Sequence, residues 1–276
     1  MIILKMRGGI GNQFFQYMIG RMLANQTQSS LILDTTWYKK ADREFVLDKL
    51  NTEYSIKIGN EQLVRTMLFL FKPKVIRSGG LVRPIKFKNG QNIILDGFWE
   101  DSTIYLPKLN VLLLKDLTLK NPSQIFLKYS SQIDKTNSIS VHVRRGDFLT
   151  NVNTYIVQDK EYYIRGVEKI LEETKMQNPS VTVFSDDVPW CMKNLSSFEK
   201  TRVSIFNDPE VSDLEQFFLM SIHRCNIISN STFSWWAAFL NKNKDKIVVA
   251  PKRWVTNIVN NQGAVRDLIL PAWKII

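Results

Sequence analysis

SISVHVRRGDF, Ser138 to Phe148, decides how this chain of 276 residues is read. Ser138 to Val143 reads as a β-strand, and the strand runs straight into two arginines, a glycine and an aspartate. Arginine is always charged, and its planar fork matches phosphate oxygens two at a time. A pair of arginines where a strand opens into a loop predicts a site for a doubly charged phosphate. Asp147, three positions after Arg144, adds a carboxylate able to act as a base. Strand alternation would point Arg144 and Arg145 to opposite faces, one for the ligand and one for the loop. The plainer reading is a surface ion pair, which accounts for Arg144 with Asp147 but leaves Arg145 idle.

The same pattern recurs outward from this stretch. Ser180–Phe184, Arg202–Phe206, Asn226–Ile228 and Ile247–Val249 read as strands, and Lys160–Lys175, Ser212–His223 and Phe233–Leu240 as helices. Strands alternating with helices predict an α/β fold with a parallel, doubly wound sheet. A polar cluster follows each strand: HVRRGD, then Ser185-Asp186-Asp187, Asn207-Asp208-Pro209, the SNSTF run to Phe233, and PKRW at Pro251–Trp254. Ligands of open α/β sheets bind at the carboxyl ends of the strands, so five such clusters predict one continuous ligand-binding rim.

The N-terminal half opens as another β-loop-α-β unit. Ile2–Met6 is a strand, Gly8–Gly11 a glycine loop, Phe14 to Leu23 an apolar helical pattern, and Leu31–Asp34 a second strand. Gly9, Gly11 and Asp34 resemble part of a dinucleotide fingerprint, but Phe14 stands where its third glycine belongs. Those glycines allow a close approach to backbone or ligand, with Asn12 and Gln13 supplying polar contacts. From Gln62 to Leu95 there are seven basic residues and no acidic one, read as a helix followed by a basic loop. Ile93–Phe98 reads as a strand ending in GFWED. Two α/β halves are expected, 1–130 and 131–276, joined within the polar stretch Asn121–Thr136.

A net charge of +11 and a pI near 9.6 favour anionic partners: nucleotides, nucleic acid or an anionic membrane surface. The two cysteines fit a reduced, intracellular protein. The N-terminus lacks the features of a signal peptide, and apolar runs such as Met67–Phe71 are far too short to span a bilayer. No P-loop and no D-x-D metal motif occurs. A diphosphate leaving group then calls for arginines and helix N-termini rather than Mg²⁺. Asp186 and Asp187, adjacent and pointing apart, suit a ribose or a guanine N–H edge. Ser231 or Thr232 can cap the helix behind SNSTF, whose N-terminus is an anion site, while Trp235 and Trp236 read as core. His142 either packs at its strand end or donates to a nucleotide. Two other function classes stay open on the residues alone. One is an NAD-dependent dehydrogenase using the glycine loop. The other is a basic nucleic-acid-binding protein, which the charge favours although no recognition module is visible.

Taken together, HVRRGDF, GGIGNQFFQY and SNSTFSWW resemble the α-1,2-fucosyltransferases of glycosyltransferase family 11, and most of all the bacterial members that build O-antigen. The likeness runs in matching order from Met1 to about Trp254. It implies a GT-B fold, two Rossmann-like domains facing across a cleft. It implies inverting transfer of L-fucose from GDP-β-L-fucose to the 2-hydroxyl of a galactose-containing acceptor, with no cofactor and no metal. Arg144 would then clamp the β-phosphate, with Arg145 second and Ser231, Thr232 and Phe233 presenting hydroxyls and N–H groups. His142, Ser185, Asp186 and Asp187 would hold guanosine, and Asn230, Gly9, Gly11, Asn12 and Gln13 would complete the donor contacts. Asp147 would be the base or would orient Arg144. Trp99, Glu100 and Asp101 would meet the acceptor, the two carboxylates being alternative bases. A lipid-linked acceptor would place the protein in the cytoplasm, peripheral on the inner face of the bacterial membrane. The Arg65–Lys88 stretch would face anionic lipid or else be a solvated surface.

Overall fold

Strands that are apolar on both faces belong inside a parallel sheet covered by helices, and the chain builds two such sheets. A computed structural model describes residues 1–78, 90–101 and 114–276. It divides into two compact units, Met1–Asn121 and Pro122–Ile276.

In the first unit, strands β1 (Ile2–Lys5), β2 (Leu31–Asp34), β3 (Ile56–Ile58), β4 (Lys74–Arg77) and β5 (Ile93–Asp96) pair in the order β3-β2-β1-β5-β4, all parallel. Ile2, Ile3 and Leu4 of the central strand are all buried. Helix α1 (Ile10–Thr27) packs closely on this strand because Gly20 has no side chain: a Cβ there would lie 2.9 Å from the Leu4 side chain. Helix α2 (Glu61–Phe71) starts where the Asn60 side chain accepts from the N–H groups of Gln62 and Leu63.

The second unit holds β6 (Ser138–Val143), β7 (Ser180–Ser185), β8 (Arg202–Ile205), β9 (Cys225–Ile227), β10 (Val248–Ala250) and β11 (Lys274–Ile275). Its helices are α3 (Gln124–Gln132), α4 (Gly146–Thr150), α5 (Lys160–Thr174), α6 (Val188–Asn194), α7 (Asp213–Ile222), α8 (Thr232–Leu240) and α9 (Ile258–Leu268). The sheet is parallel throughout, in the order β11-β10-β9-β6-β7-β8. Counted within the unit this is the Rossmann order 3-2-1-4-5-6. The core runs along β6 and β7 through Ile139, Val141, Val143, Val181 and Val183, under Tyr163, Val167 and Ile170 of α5.

Two expectations are corrected here. The division falls at Asn121/Pro122 and not at 130/131, because Ser123 caps α3 and its N–H bonds Glu215 of α7, tying residues 122–130 to the second unit. The basic stretch is not one loop after its helix: Lys74–Arg77 forms β4, an edge strand whose two end charges hid it. Arg83, Lys86 and Lys88 lie outside the described residues. Cys191 and Cys225 are both buried and free.

Candidate active site at the carboxyl ends of the second sheet

The strand order of the second unit reverses between β6 and β9, the switch point at which open α/β sheets bind their ligands. His142 and Ser229 bridge it, with Nδ1 2.8 Å from Oγ. Burial, with the Arg144 charge second, holds the His142 imidazole down to about 3. The ring is therefore neutral throughout the physiological range and offers a hydrogen bond, not a charge. Phe233 packs against it with ring centres 5.2 Å apart.

β6 ends at Val143, so strand alternation no longer governs the two arginines. They nevertheless part company. Arg144 donates through Nη2 to Asp147 at 2.6 Å and through Nη1 to Asp186 at 2.9 Å. Arg145 donates through Nε to Asp187 at 3.0 Å and lies over Trp190, 4.2 Å from the ring centre. Arg145 is thus not idle: the plain structural role fits it better than it fits Arg144. Asp187 also caps α6, and its own N–H donates to Ser185. The three N–H bonds of Arg144 beyond those two contacts keep a fixed direction, since two carboxylates grip the same guanidinium.

Gly146 makes that grip possible. A Cβ on it would stand 2.7 Å from Asp186 Oδ2, the atom that holds Arg144, while Oδ1 accepts the Arg145 N–H at 2.8 Å. A carboxylate can swing aside, so Gly146→Ala should fold normally, with an unchanged circular dichroism spectrum. It should lower kcat/KM about tenfold by releasing Arg144 from its set direction. An unchanged kcat/KM would show that Asp186 does not aim this arginine.

Beyond the end of β9, Ser231 caps α8 by accepting from Phe233 N–H, and Thr232 is the first helical residue. Asn230 is spoken for: its amide donates to the carbonyls of Ile156 and Trp254, and its oxygen accepts from Gln158. It holds the loop and has no amide donor left for a ligand. Trp235 and Trp236 are core. The five polar clusters follow β10, β9, β6, β7 and β8, which are neighbours in the sheet, so they stand in one row as expected.

The model of the family described as glycosyl transferase family 11 matches residues 69–276. The chain belongs to that family. An Escherichia coli α-1,2-colitosyltransferase is 30% identical over 270 residues, 92% of either chain. The O-antigen biosynthesis glycosyltransferase WbnK of the same organism is 30% identical, across 96% of this chain and 97% of its own. The crystal structure of fucosyltransferase NodZ from Bradyrhizobium shares the fold, with a TM-score of 0.52 at 14% identity over 87% of this chain and 91% of that one. Two Rossmann-like units agree with the GT-B expectation, and family membership leaves the dehydrogenase and nucleic-acid readings without support.

The glycine loop lies in the first unit. Gly9 caps α1 with no side chain, and Gly11 and Gln13 are buried. Gly8 has φ +84, a backbone open mainly to glycine, and a Cβ there would stand 2.6 Å from the Asn12 side chain. Gln13 is a brace: its amide donates to the carbonyls of Gly8 and Glu44 and its oxygen accepts from Val46 N–H. Gln16, which the sequence did not single out, clasps the backbone of Arg7 from both sides. Gln158 was missed likewise, and Ser229 was noted only as the first residue of the SNSTF run. Small polar residues beside a motif carry no signal until the fold shows what they hold.

GFWED follows β5. Trp99 is buried and has φ +59, a left-handed backbone that costs a bulky residue roughly 1–2 kcal/mol. Asp101 is buried too. Glu100 is half-buried, and burial pushes its carboxyl up to about 7. A cavity of about 580 Å³ lies at the carboxyl ends of β1 and β2, walled by α2. Arg7, Asp34, Trp37 and Arg65 line it, a mixture of charge and aromatic surface suited to a polar ligand.

Proposed function

We propose that the chain transfers L-fucose from GDP-β-L-fucose to the 2-hydroxyl of a galactose-containing acceptor, with inversion and without a metal ion. The observation that carries this reading is Arg144, aimed by two carboxylates at the switch point of a Rossmann unit. In a single in-line displacement the acceptor O2 forms a bond to the anomeric carbon as the bond to the β-phosphate oxygen breaks. The proton leaves O2 for a base, and the electron pair leaves with GDP. Arg144 neutralises the charge gathering on the departing diphosphate, and the positive end of the α8 dipole adds to it. Neutral His142 supplies a hydrogen bond to the nucleotide without adding charge.

Glu100 is the better base. Asp147 already accepts a 2.6 Å hydrogen bond from Arg144, which suits it to orienting that arginine. Glu100 has a carboxyl poised near neutrality, where a base is most effective. The acceptor is a cell-surface oligosaccharide, lipid-linked at the inner face of the membrane.

Purified protein should release GDP from GDP-fucose with a galactoside acceptor at a rate unchanged by EDTA. Loss of activity in EDTA with recovery in Mn²⁺ would end the metal-free mechanism. A second donor is favoured by one observation, the colitosyltransferase that matches 92% of the chain. Colitose is fucose without its 3-hydroxyl, so a faster rate with GDP-colitose than with GDP-fucose would assign the donor pocket to the deoxy sugar.

A further inference from the structure

Helix α2 is built the wrong way round for a helix that only covers a sheet. Val64 is its one buried residue, while Leu63, Phe69, Leu70 and Phe71 stand exposed, Phe69 by 76%. Leu63, Thr66, Phe69 and Leu70, three or four residues apart, share the arc opposite Val64. A water-facing helix normally carries charge on that arc. Basic residues lie on the helix and directly after it instead: Arg65 within it, Lys72 at its C-cap, and Lys74 and Arg77 on the following strand β4 with exposed Val75. No acidic residue occurs from Gln62 to Arg77. Among the described residues no helix is long and apolar enough to cross a membrane.

We infer that α2 is a membrane-docking element that lies in the interface of an anionic lipid bilayer. Its apolar arc enters the acyl boundary while the accompanying lysines and arginines meet lipid phosphates. Positive charge together with an apolar arc distinguishes this occupant from a second copy of the chain, which would bring equal positive charge against it. Docking here would hold the cavity that α2 walls close to the lipid surface. The inference stands on α2 and β4 alone, so its failure leaves the transferase reading intact.

The full chain should co-sediment with vesicles of equal parts phosphatidylglycerol and phosphatidylcholine, and about tenfold less with phosphatidylcholine alone. The double variant Phe69→Glu/Leu70→Glu, folded by circular dichroism, should partition at least about tenfold more weakly while still turning over a soluble acceptor at the parent rate. Lys72→Glu/Lys74→Glu tests the basic residues separately and should also weaken binding. Three results would overturn the inference: no binding to the mixed vesicles, equal binding to both vesicle types, or Phe69→Glu/Leu70→Glu binding as the parent does. A dimer in sedimentation velocity that this double variant splits would assign the face to a second copy and overturn it as well.

Discussion

Arg144→Ala should remain folded and lose about 10²–10³-fold in kcat/KM for GDP-fucose, most of it in kcat. The reasoning starts from charge. The leaving diphosphate gains negative charge only as the glycosidic bond breaks, so a fixed cation beside it favours the transition state over bound donor. Arg144 is fixed by Asp147 and Asp186, and neither carboxylate is deeply buried: their side chains keep 45% and 26% of their surface. Removing the guanidinium leaves two carboxylates that water can reach, so the stability cost stays near 1 kcal/mol. Arg144→Lys restores the charge but not the two-pronged grip, and should recover only part of the rate. Arg145→Ala is the control. That residue packs on Trp190 and pairs with the carboxylate that caps α6, so its loss should appear in melting temperature before it appears in kcat. If Arg144→Ala turns over at the parent rate, or if Arg145→Ala is the one that abolishes turnover, the clamp has been assigned to the wrong arginine.

The contrast between these neighbours marks where the sequence stops being legible. Five of the six strands of the second unit could be read directly because each is short, carries apolar residues in a continuous or alternating pattern and is followed by polar residues. β11 carries no such signal: two residues at the chain end have meaning only once β10 lies beside them. β4 was hidden because Lys74 and Arg77 bracket two apolar residues, which reads as loop when the neighbouring strand is unknown. At the site, the residue types that bind phosphate were visible, but their partners were not. Nothing in the spacing of Gly146 and Asp186, forty residues apart, says that one exists to admit the other. Asn230 and Gln13 show a second limit. Each sits within a motif and reads as a ligand contact, yet its hydrogen bonds are spent on the backbone. Local sequence reports which side chains can bind; only the fold reports which are already bound.

Glu100→Gln should abolish transfer and at the same time make the protein more stable above neutral pH. Burial raises the folded-state carboxyl from its ordinary 4.5 to about 7, whereas the unfolded chain keeps the ordinary value. The folded state therefore binds more protons between those limits. Its stability is full below about 4.5 and is lost as pH rises through about 7. Above 7 the carboxylate is held charged in a poorly hydrated place. Because the residue keeps some exposure, the cost is roughly 1–2 kcal/mol rather than the whole shift. Glutamine has the same shape and no charge, so it removes the penalty and should raise the melting temperature by a few degrees near pH 8, with little change near pH 5. Under the proposed mechanism, the charged form that costs stability is also the form that would accept the acceptor proton. The parent kcat/KM should accordingly climb with pH through an apparent value near 7, and this limb should vanish in Glu100→Gln along with most of the activity. The two readouts separate the two claims. A variant that gains stability but keeps its rate would return the role of base to Asp147. A variant that loses its rate without the pH-dependent gain would show that Glu100 binds the acceptor as a permanently charged group and is not the tuned base.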